Sequence, residues 1–360
     1  MKILYCSYSQ IPSDYANSIA VMQQCSALNK KAELFALFVR DHSNCHDVFK
    51  HYNVDPFPLK LLPKTSLCFG EVGLKISLLQ HVLLKKADVI YSRDVLLNRF
   101  MCRLHIPNIY EIHQIDQENQ KFDRCFKRKL LAIKDNRYLC AIVCISDALK
   151  RECLKFGIPE EKLIVLHSAV SIKSGHSSSN NKGAHILKED RPIAMYVGSL
   201  QRGKGIDMIL RMAELSDRYH FVIVGGKTGT ILESEQLTHI PQVSNEQARE
   251  YMKSADFLLL PMTKQKYKFH SPLKLFEYLC AGKVLIASEN EDLTEVLQHR
   301  ENAMLANSDD PLDFLKQMDI VCNDPDLRKR LCKQAYQTAL IHSWDHRAIA
   351  ICNLIKEKLS

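Results

Sequence analysis

The 360-residue sequence nowhere offers about eighteen uninterrupted apolar residues, so no transmembrane helix is expected. The opening MKILYCSYSQIPSDY starts with one Lys and a short apolar run, but the run breaks at Ser7 and reads as a core strand rather than a signal peptide. A cytoplasmic location follows as the expectation. No CxxC pair occurs and no Cys/His spacing matches a zinc site, which disfavours a structural metal. Thirteen cysteines, an odd number scattered through apolar patterns such as YLCAIVCIS, read as buried small hydrophobes kept reduced. The phosphate loop GxxxxGK[ST] and the dinucleotide fingerprint GxGxxG are both missing, so a P-loop NTPase and a nicotinamide dehydrogenase are disfavoured. No internal repeat is present beyond a shared strand–helix rhythm.

What is present is ordinary for a soluble enzyme: 46% apolar residues and 25% charged. The length is too great for one compact core and suits two α/β domains. The net charge of +8 is uneven. Residues 1–168 carry 24 Lys+Arg against 17 Asp+Glu, and the remainder 25 against 24. The densest basic stretch is KFDRCFKRKLLAIKDNR, Lys121 to Arg137. It can favour anionic lipid or an acidic acceptor at the inner membrane face, although a solvated helix face is the commoner origin of such a pattern. Nucleic acid is not expected, because only Phe122 and Phe126 interleave the charges and no binding motif accompanies them.

Along the first half, apolar strand-like runs (MKILYCSYS, ELFALFVR, ADVIYSR, NIYEIHQ, AIVCIS) alternate with helical patterns such as Ser18–Leu28 and LKISLLQHVLLKK. Short buried strands separated by helices imply a parallel sheet covered on both faces. The Ser-, Asn-, Gly- and Lys-rich segment SIKSGHSSSNNKGAHILKED cannot bury a face and reads as a loop at a domain boundary. A second series follows: PIAMYVGSL, HFVIVGG, DFLLLP and KVLIAS. The expected layout is an N-terminal Rossmann-like domain over 1–168, a linker over 169–190, a C-terminal Rossmann-like domain over 191–342 and a closing helix over 343–360. Tandem doubly wound domains are expected to leave a cleft at the carboxyl ends of their strands.

Three segments carry candidate chemistry. In HSPLKLFEYLCAGKVLIAS, Ser271 can cap a helix with Pro272 at its first position, and Gly282 can end it. Such a helix start presents free N–H groups to an anion. Lys274 and Glu277 share one face, as a cation for phosphates and a carboxylate for ribose hydroxyls would require, but a surface ion pair meets the same spacing. In YVGSLQRGKGID a strand ends at Gly198 and a turn carries Arg202, Gly203, Lys204 and Gly205. That turn can neutralise a pyrophosphate or simply be solvated. In IVGGKTG, Gly225 and Gly226 admit close backbone approach or make a tight turn. No acidic DxD cluster lies near these segments, and Asp309-Asp310 and Glu291-Asp292 read as solvated turns.

Taken together and in this order, these segments resemble the C-terminal domain of the retaining glycosyltransferase family 4 (glycosyl transferases group 1), which has the GT-B fold. The resemblance runs from about Ile193 to the end and includes SADFLLLP, SPLKLFEYLCAG and the terminal SWDHRAIAICNLIKEKL. It is looser in VIYSRD, IYEIH, VCISDALKREC and GIPEEKLIVL.

The resemblance implies an α/β chain of two Rossmann-like domains and a nucleotide diphosphate sugar, UDP- or GDP-linked, as co-substrate, with no other cofactor and no metal. It implies a glycan or lipid-linked acceptor. Arg202 and Lys204 fall where the family binds the donor diphosphate, with Gly198, Ser199 and Gly225 at the adjoining turns. Ser271, Pro272, Leu273 and Lys274 match the loop and helix start that face the donor, and Glu277 the acid that holds the ribose. His113, at the end of NIYEIH, resembles the histidine that approaches the transferred sugar; Arg93 and Glu111 are expected to line the same cleft. The sequence departs from the family at Phe269, where a first Glu is usual, at Ser199, where an arginine is usual, and at YANSIAVMQQ, which puts Asn17 and Ser18 at a turn that is usually Gly-rich. The same fold hosts sugar-nucleotide epimerases, and a non-catalytic sugar-nucleotide-binding protein is a further alternative.

Overall fold

A computed structural model of the chain describes residues 1–13, 15–40, 47–62, 87–113, 120–172, 190–201, 203–262 and 273–359, without the side chains of 40 and 120–125. The chain divides into two compact units, Met1–Ser171 with Ser343–Ser360, and Ile172–His342.

In the first unit the strands are β1 (Lys2–Ile11), β2 (Glu33–Arg40), β3 (Leu59–Leu62), β4 (Val89–Ser92), β5 (Asn108–Ile112), β6 (Leu139–Cys144) and β7 (Leu163–Val165). They form one parallel sheet in the order β3-β2-β1-β4-β5-β6-β7. The described helices between them are α1 (Ala16–Asn29), α2 (Val48–Tyr52), α3 (Val95–Arg103), α4 (Gln120–Leu131) and α5 (Asp147–Lys155). The central strands are buried on both faces, which is why they read as near-continuous apolar runs. Side-chain caps set helix starts: Asp94 accepts from Leu97 N at 2.8 Å and Ser146 from Leu149 N at 3.2 Å. Strand order reverses between β1 and β4, and ligands of open α/β sheets sit beyond the carboxyl ends of strands at such a point.

The second unit repeats the plan. Strands β8 (Ile193–Val197), β9 (His220–Val224), β10 (Leu237–Ile240), β11 (Phe257–Leu260), β12 (Val284–Glu289) and β13 (Met304–Asn307) pair in parallel in the order β10-β9-β8-β11-β12-β13. Its helices are α6 (Ile206–Leu215), α7 (Asn245–Ser254), α8 (Leu273–Ala281), α9 (Glu291–Thr294), α10 (Pro311–Cys322) and α11 (Pro325–Ile341). Tyr219, Phe221, Phe257 and Phe314 anchor the core under this sheet. The last helix, α12 (Trp344–Leu359), belongs to the first unit and packs on α1 there.

These two parallel α/β units have the architecture expected from the sequence, with three local corrections. Asn17 and Ser18 are not at a turn but in the first turn of α1, where the buried Ser18 hydroxyl donates to Gln10 O at 2.9 Å. Asp292 is buried in the first turn of α9 beside the exposed Glu291, and Asp310 caps α10 by accepting from Leu312 N at 3.0 Å, while Asp309 is exposed in a turn as expected. A short polar side chain serves a helix start better than water does, because it satisfies amides that have no partner in the helix. The helical pattern LKISLLQHVLLKK and most of the boundary loop lie outside the described residues. The described cysteines are all free thiols and none is exposed. Among the described residues no helix is long and apolar enough to cross a membrane.

Candidate active site

At the carboxyl edge of β8, Gly198 leaves the strand at φ 150° and donates its N–H to Val224 O at 2.8 Å. A Cβ on Gly198 would lie 1.8 Å from Lys274 Nζ, and one on Gly225 would lie 1.9 Å from Gly198 O. Backbone excludes a side chain at Gly225, and at Gly198 the φ disfavours one and the Lys274 ammonium would have to move aside. The helix that delivers Lys274 is pinned to the same strand: the Tyr278 hydroxyl accepts from Val197 N at 2.8 Å and is 3.3 Å from Val197 O, to which it donates. Gly282, at φ 63°, closes α8 by bonding Leu279 O at 3.1 Å.

One turn before Tyr278, Lys274 Nζ lies 3.9 Å from the Tyr196 ring centroid, over its negative face. The Tyr196 hydroxyl donates to Ser199 O at 2.8 Å, which fixes the ring and the exposed Ser199 turn together. Among the described residues Lys274 makes no ion pair. Burial draws its pKa down to about 7, the charge of Lys204 pushes the same way, and Glu277 opposes both. Burial also lowers Lys204. Burial raises the Glu277 carboxyl against the pull of Arg249 and Lys274. Two half-buried ammonium groups that repel one another at a strand edge are suited to an anion, because a phosphate oxygen would relieve the burial penalty and the repulsion at once. The Glu277 carboxylate, drawn on by cations and short of water, has acceptor capacity for hydroxyl groups.

Gly198, Ser199, Lys204, Gly225, Leu273, Lys274 and Glu277 are thus all found in the second unit, where Lys204 and Glu277 act electrostatically on Lys274, whose ammonium fills the space a Gly198 side chain would take. Arg202, Phe269, Ser271 and Pro272 lie outside the described residues. Arg249 on α7, the cation nearest in effect to Glu277 after burial, was not marked by the sequence, since nothing local links it to a residue on another helix.

His113, Arg93 and Glu111 come together in the first unit, at the ends of β5 and β4. Glu111 does not line a surface as expected: it is 2% exposed, because its carboxylate is fully engaged. It accepts from Arg347 Nη2 at 2.8 Å, Gln24 Nε2 at 3.2 Å and the Tyr91 hydroxyl, and pairs with Arg93 Nε at 3.3 Å and with His113 Nε2. Burial alone would raise the Glu111 carboxyl, but Arg347, His113 and Arg93 hold it well below the usual carboxylate range. His113 Nε2 faces Glu111 Oε1, while Arg93 Nη2 lies against both ring nitrogens, 2.6 Å from Nδ1. An ionised carboxylate can only accept, so Nε2 carries the proton toward Glu111 and Nδ1 is left to accept from Arg93. Burial, then Arg93, drive the imidazole down to about 4, so His113 is neutral at pH 7. Glu111→Ala is expected to cost about 3–5 kcal/mol, because it strands buried guanidinium groups; an unchanged urea midpoint would contradict the network. Arg347, Gln24 and Tyr91 were not marked by the sequence.

Residues 177–338 match the family described as glycosyl transferases group 1. The family match rests on that segment, less than half of the chain, and the chain has the GT-B fold. The Anabaena protein Alr3699/HepE, solved in complex with UDP, superposes with a TM-score of 0.77 at 14% identity over 99% of this chain and 100% of that one. Among curated relatives, a D-inositol 3-phosphate glycosyltransferase of Nocardioides is 24% identical over 45% of this chain and 41% of its own length. An uncharacterised glycosyltransferase of Methanocaldococcus jannaschii is 23% identical over 71% of this chain and 70% of its own. A Campylobacter jejuni N,N'-diacetylbacillosaminyl-diphospho-undecaprenol alpha-1,3-N-acetylgalactosaminyltransferase is 25% identical over 54% of each. The matches to the Nocardioides and Campylobacter proteins thus span about half the length of those relatives.

Proposed function

We propose that this protein is a retaining glycosyltransferase that moves a sugar from a UDP- or GDP-linked donor to a glycan or lipid-linked acceptor, in surface polysaccharide or glycoconjugate synthesis. The observation that carries this reading is the pair of half-buried lysines, Lys204 and Lys274, both shifted down by burial, at the carboxyl edge of β8 beside Gly225, where a Cβ would strike backbone. Charge of that sign at that edge fits a diphosphate, and the nearby Glu277 fits the ribose hydroxyls. The relatives and the UDP-bound neighbour have chemistry of the same kind in their names.

In this mechanism the diphosphate leaves the anomeric carbon while the acceptor hydroxyl attacks from the same face. The C–O bond to phosphate breaks with its electron pair on the diphosphate, the new glycosidic bond forms, and a phosphate oxygen takes the acceptor proton. Lys204, Lys274 and Arg202 stabilise the growing negative charge, the task that a divalent metal would otherwise have. His113, held neutral, helps to orient the transferred sugar without placing a charge beside it. Incubation with radiolabelled UDP- and GDP-sugars and a lipid-linked or glycan acceptor tests this. Label should reach the acceptor with its anomeric configuration kept, as read by NMR coupling of the product. An isomerised sugar still attached to its nucleotide, or donor binding with neither transfer nor hydrolysis, would overturn the reading.

The same reading places the protein at the inner membrane surface, with the basic stretch Lys121–Arg137 against anionic lipid. The described part of α4 narrows the surface involved. Lys127 lies 3.9 Å over the Phe156 ring, while Arg128 and Leu131 are exposed. Each cation near an anionic surface contributes about 1 kcal/mol. Co-sedimentation with anionic vesicles is expected at low salt, lost at high salt, and weakened when Lys127, Arg128 and Lys129 become Glu. Equal binding to neutral vesicles would contradict it.

A further inference from the structure

The buried arginine of the last helix stands out because no step of the proposed reaction uses it. Arg347 lies on the apolar stripe of α12 with Trp344, Ile351 and Ile355, and is 6% exposed. Each of its nitrogens has a partner. Nε donates to Gln24 Oε1 at 3.1 Å, Nη1 to Leu166 O at 3.1 Å and Nη2 to Glu111 Oε2 at 2.8 Å. A guanidinium held at all three nitrogens is rigid, and a lysine cannot reproduce its geometry. Gln24 adds a second link, since its Nε2 donates to the same Glu111 oxygen that Arg347 holds. The other carboxylate oxygen, Oε1, is thereby left to face Arg93 Nε and His113 Nε2.

We infer that Arg347 is a positioning residue for the proposed transfer: by clamping one oxygen of Glu111 it aims the other at His113, fixing the tautomer and orientation of that imidazole and the placement of Arg93 beside it. This rests on the assignment of His113 to the transferred sugar. The last helix is then part of the site's machinery, delivering a group across 236 residues of sequence to the end of β5. Charge arithmetic points the same way. Around one carboxylate stand two guanidinium groups, Arg93 and Arg347, while Tyr91 is kept protonated by burial and by Glu111. A protonated His113 would add a third cation, so the surroundings favour a neutral imidazole with one defined donor and one defined acceptor nitrogen.

The test compares wild type with Arg347→Gln and Arg347→Lys, the second being the milder change to folding. Histidine-selective 15N labelling, with His113 assigned by its disappearance in His113→Asn, reads tautomer and titration without any substrate. In wild type His113 is expected to hold its Nε2–H tautomer down to about pH 5. In both variants a tautomer mixture should appear, and in Arg347→Gln the midpoint should rise, because a repelling charge has gone. Turnover should fall by about a hundredfold, the scale of a misplaced catalytic group. Nucleotide affinity should stay within about twofold, because Lys204 and Lys274 are untouched. Guanidinium ion should restore part of the turnover in Arg347→Gln. Variants that fold with the wild-type His113 tautomer and titration would overturn the inference, whatever their activity. A shifted His113 with undiminished transfer would instead keep the positioning and remove His113 from the reaction.

Discussion

Lys204→Ala and Lys274→Met are each expected to slow transfer by about a hundredfold, close to 3 kcal/mol, while weakening ground-state donor binding by much less. Leaving-group charge grows toward the transition state, so a cation beside the diphosphate counts for more there than in the bound donor. The same pair sets a pH dependence whose sign follows from burial. Lys274 titrates near 7 in the folded protein, below its ordinary value. The unfolded chain therefore binds more protons than the fold above pH 7, and stability of the nucleotide-free protein rises with pH between 7 and the ordinary lysine range. A diphosphate reverses the preference by favouring the ammonium. Binding then takes up a proton above pH 7, and UDP or GDP affinity falls as pH rises from about 7. Calorimetry in buffers of different ionisation enthalpy reads that proton directly. Lys274→Met should bind without the uptake and with a flatter pH profile. An equal uptake in the variant would assign the proton elsewhere, and a rise in KM alone would remove the lysine from transition-state stabilisation.

Glu277→Ala is expected to lower kcat/KM by about a hundredfold. Two charge-assisted hydrogen bonds to ribose hydroxyls at about 1.5 kcal/mol each give roughly 3 kcal/mol. The fold should not suffer. Burial raises the Glu277 carboxyl, so its ionised form is a burden on the folded state at neutral pH. Glu277→Gln should therefore leave the melting temperature unchanged or slightly higher while still losing most of the transfer. Deoxy-ribose analogues of the donor separate the causes: wild type should lose affinity for them, and the variants should no longer distinguish them. Near-wild-type turnover and donor affinity in Glu277→Ala would remove the ribose role.

Much of the architecture was legible because parallel strands buried on both faces leave unbroken apolar runs, as in β9 and β11. The sheet edges were not. β3, β7 and β13 have only three or four residues, and β10 buries only alternate positions, so periodicity has too little length to act on. Lys274 and Glu277 could be read from helical spacing, but the contact of Lys274 with Tyr196 and Gly198 depends on the Tyr278 tie that pins α8 to β8. In the first unit, Glu111 was marked only through the resemblance, as a residue lining a cleft, with no sign that it would be buried. Its partner Arg347 was not marked, although it falls on the stripe of Trp344, Ile351 and Ile355. That those two charges pair is a property of the sheet and the returning helix, and no local pattern encodes it.

The most direct measurement is a calorimetric titration of UDP and GDP into the wild-type protein and into the Lys204→Ala/Lys274→Met double variant, at pH 7 and low salt. The account predicts that one of the two nucleotides binds wild type with a single site, and that the double variant, with its melting temperature kept, loses at least tenfold in affinity. Binding of equal strength in both proteins, or no binding of either nucleotide to wild type, would contradict it.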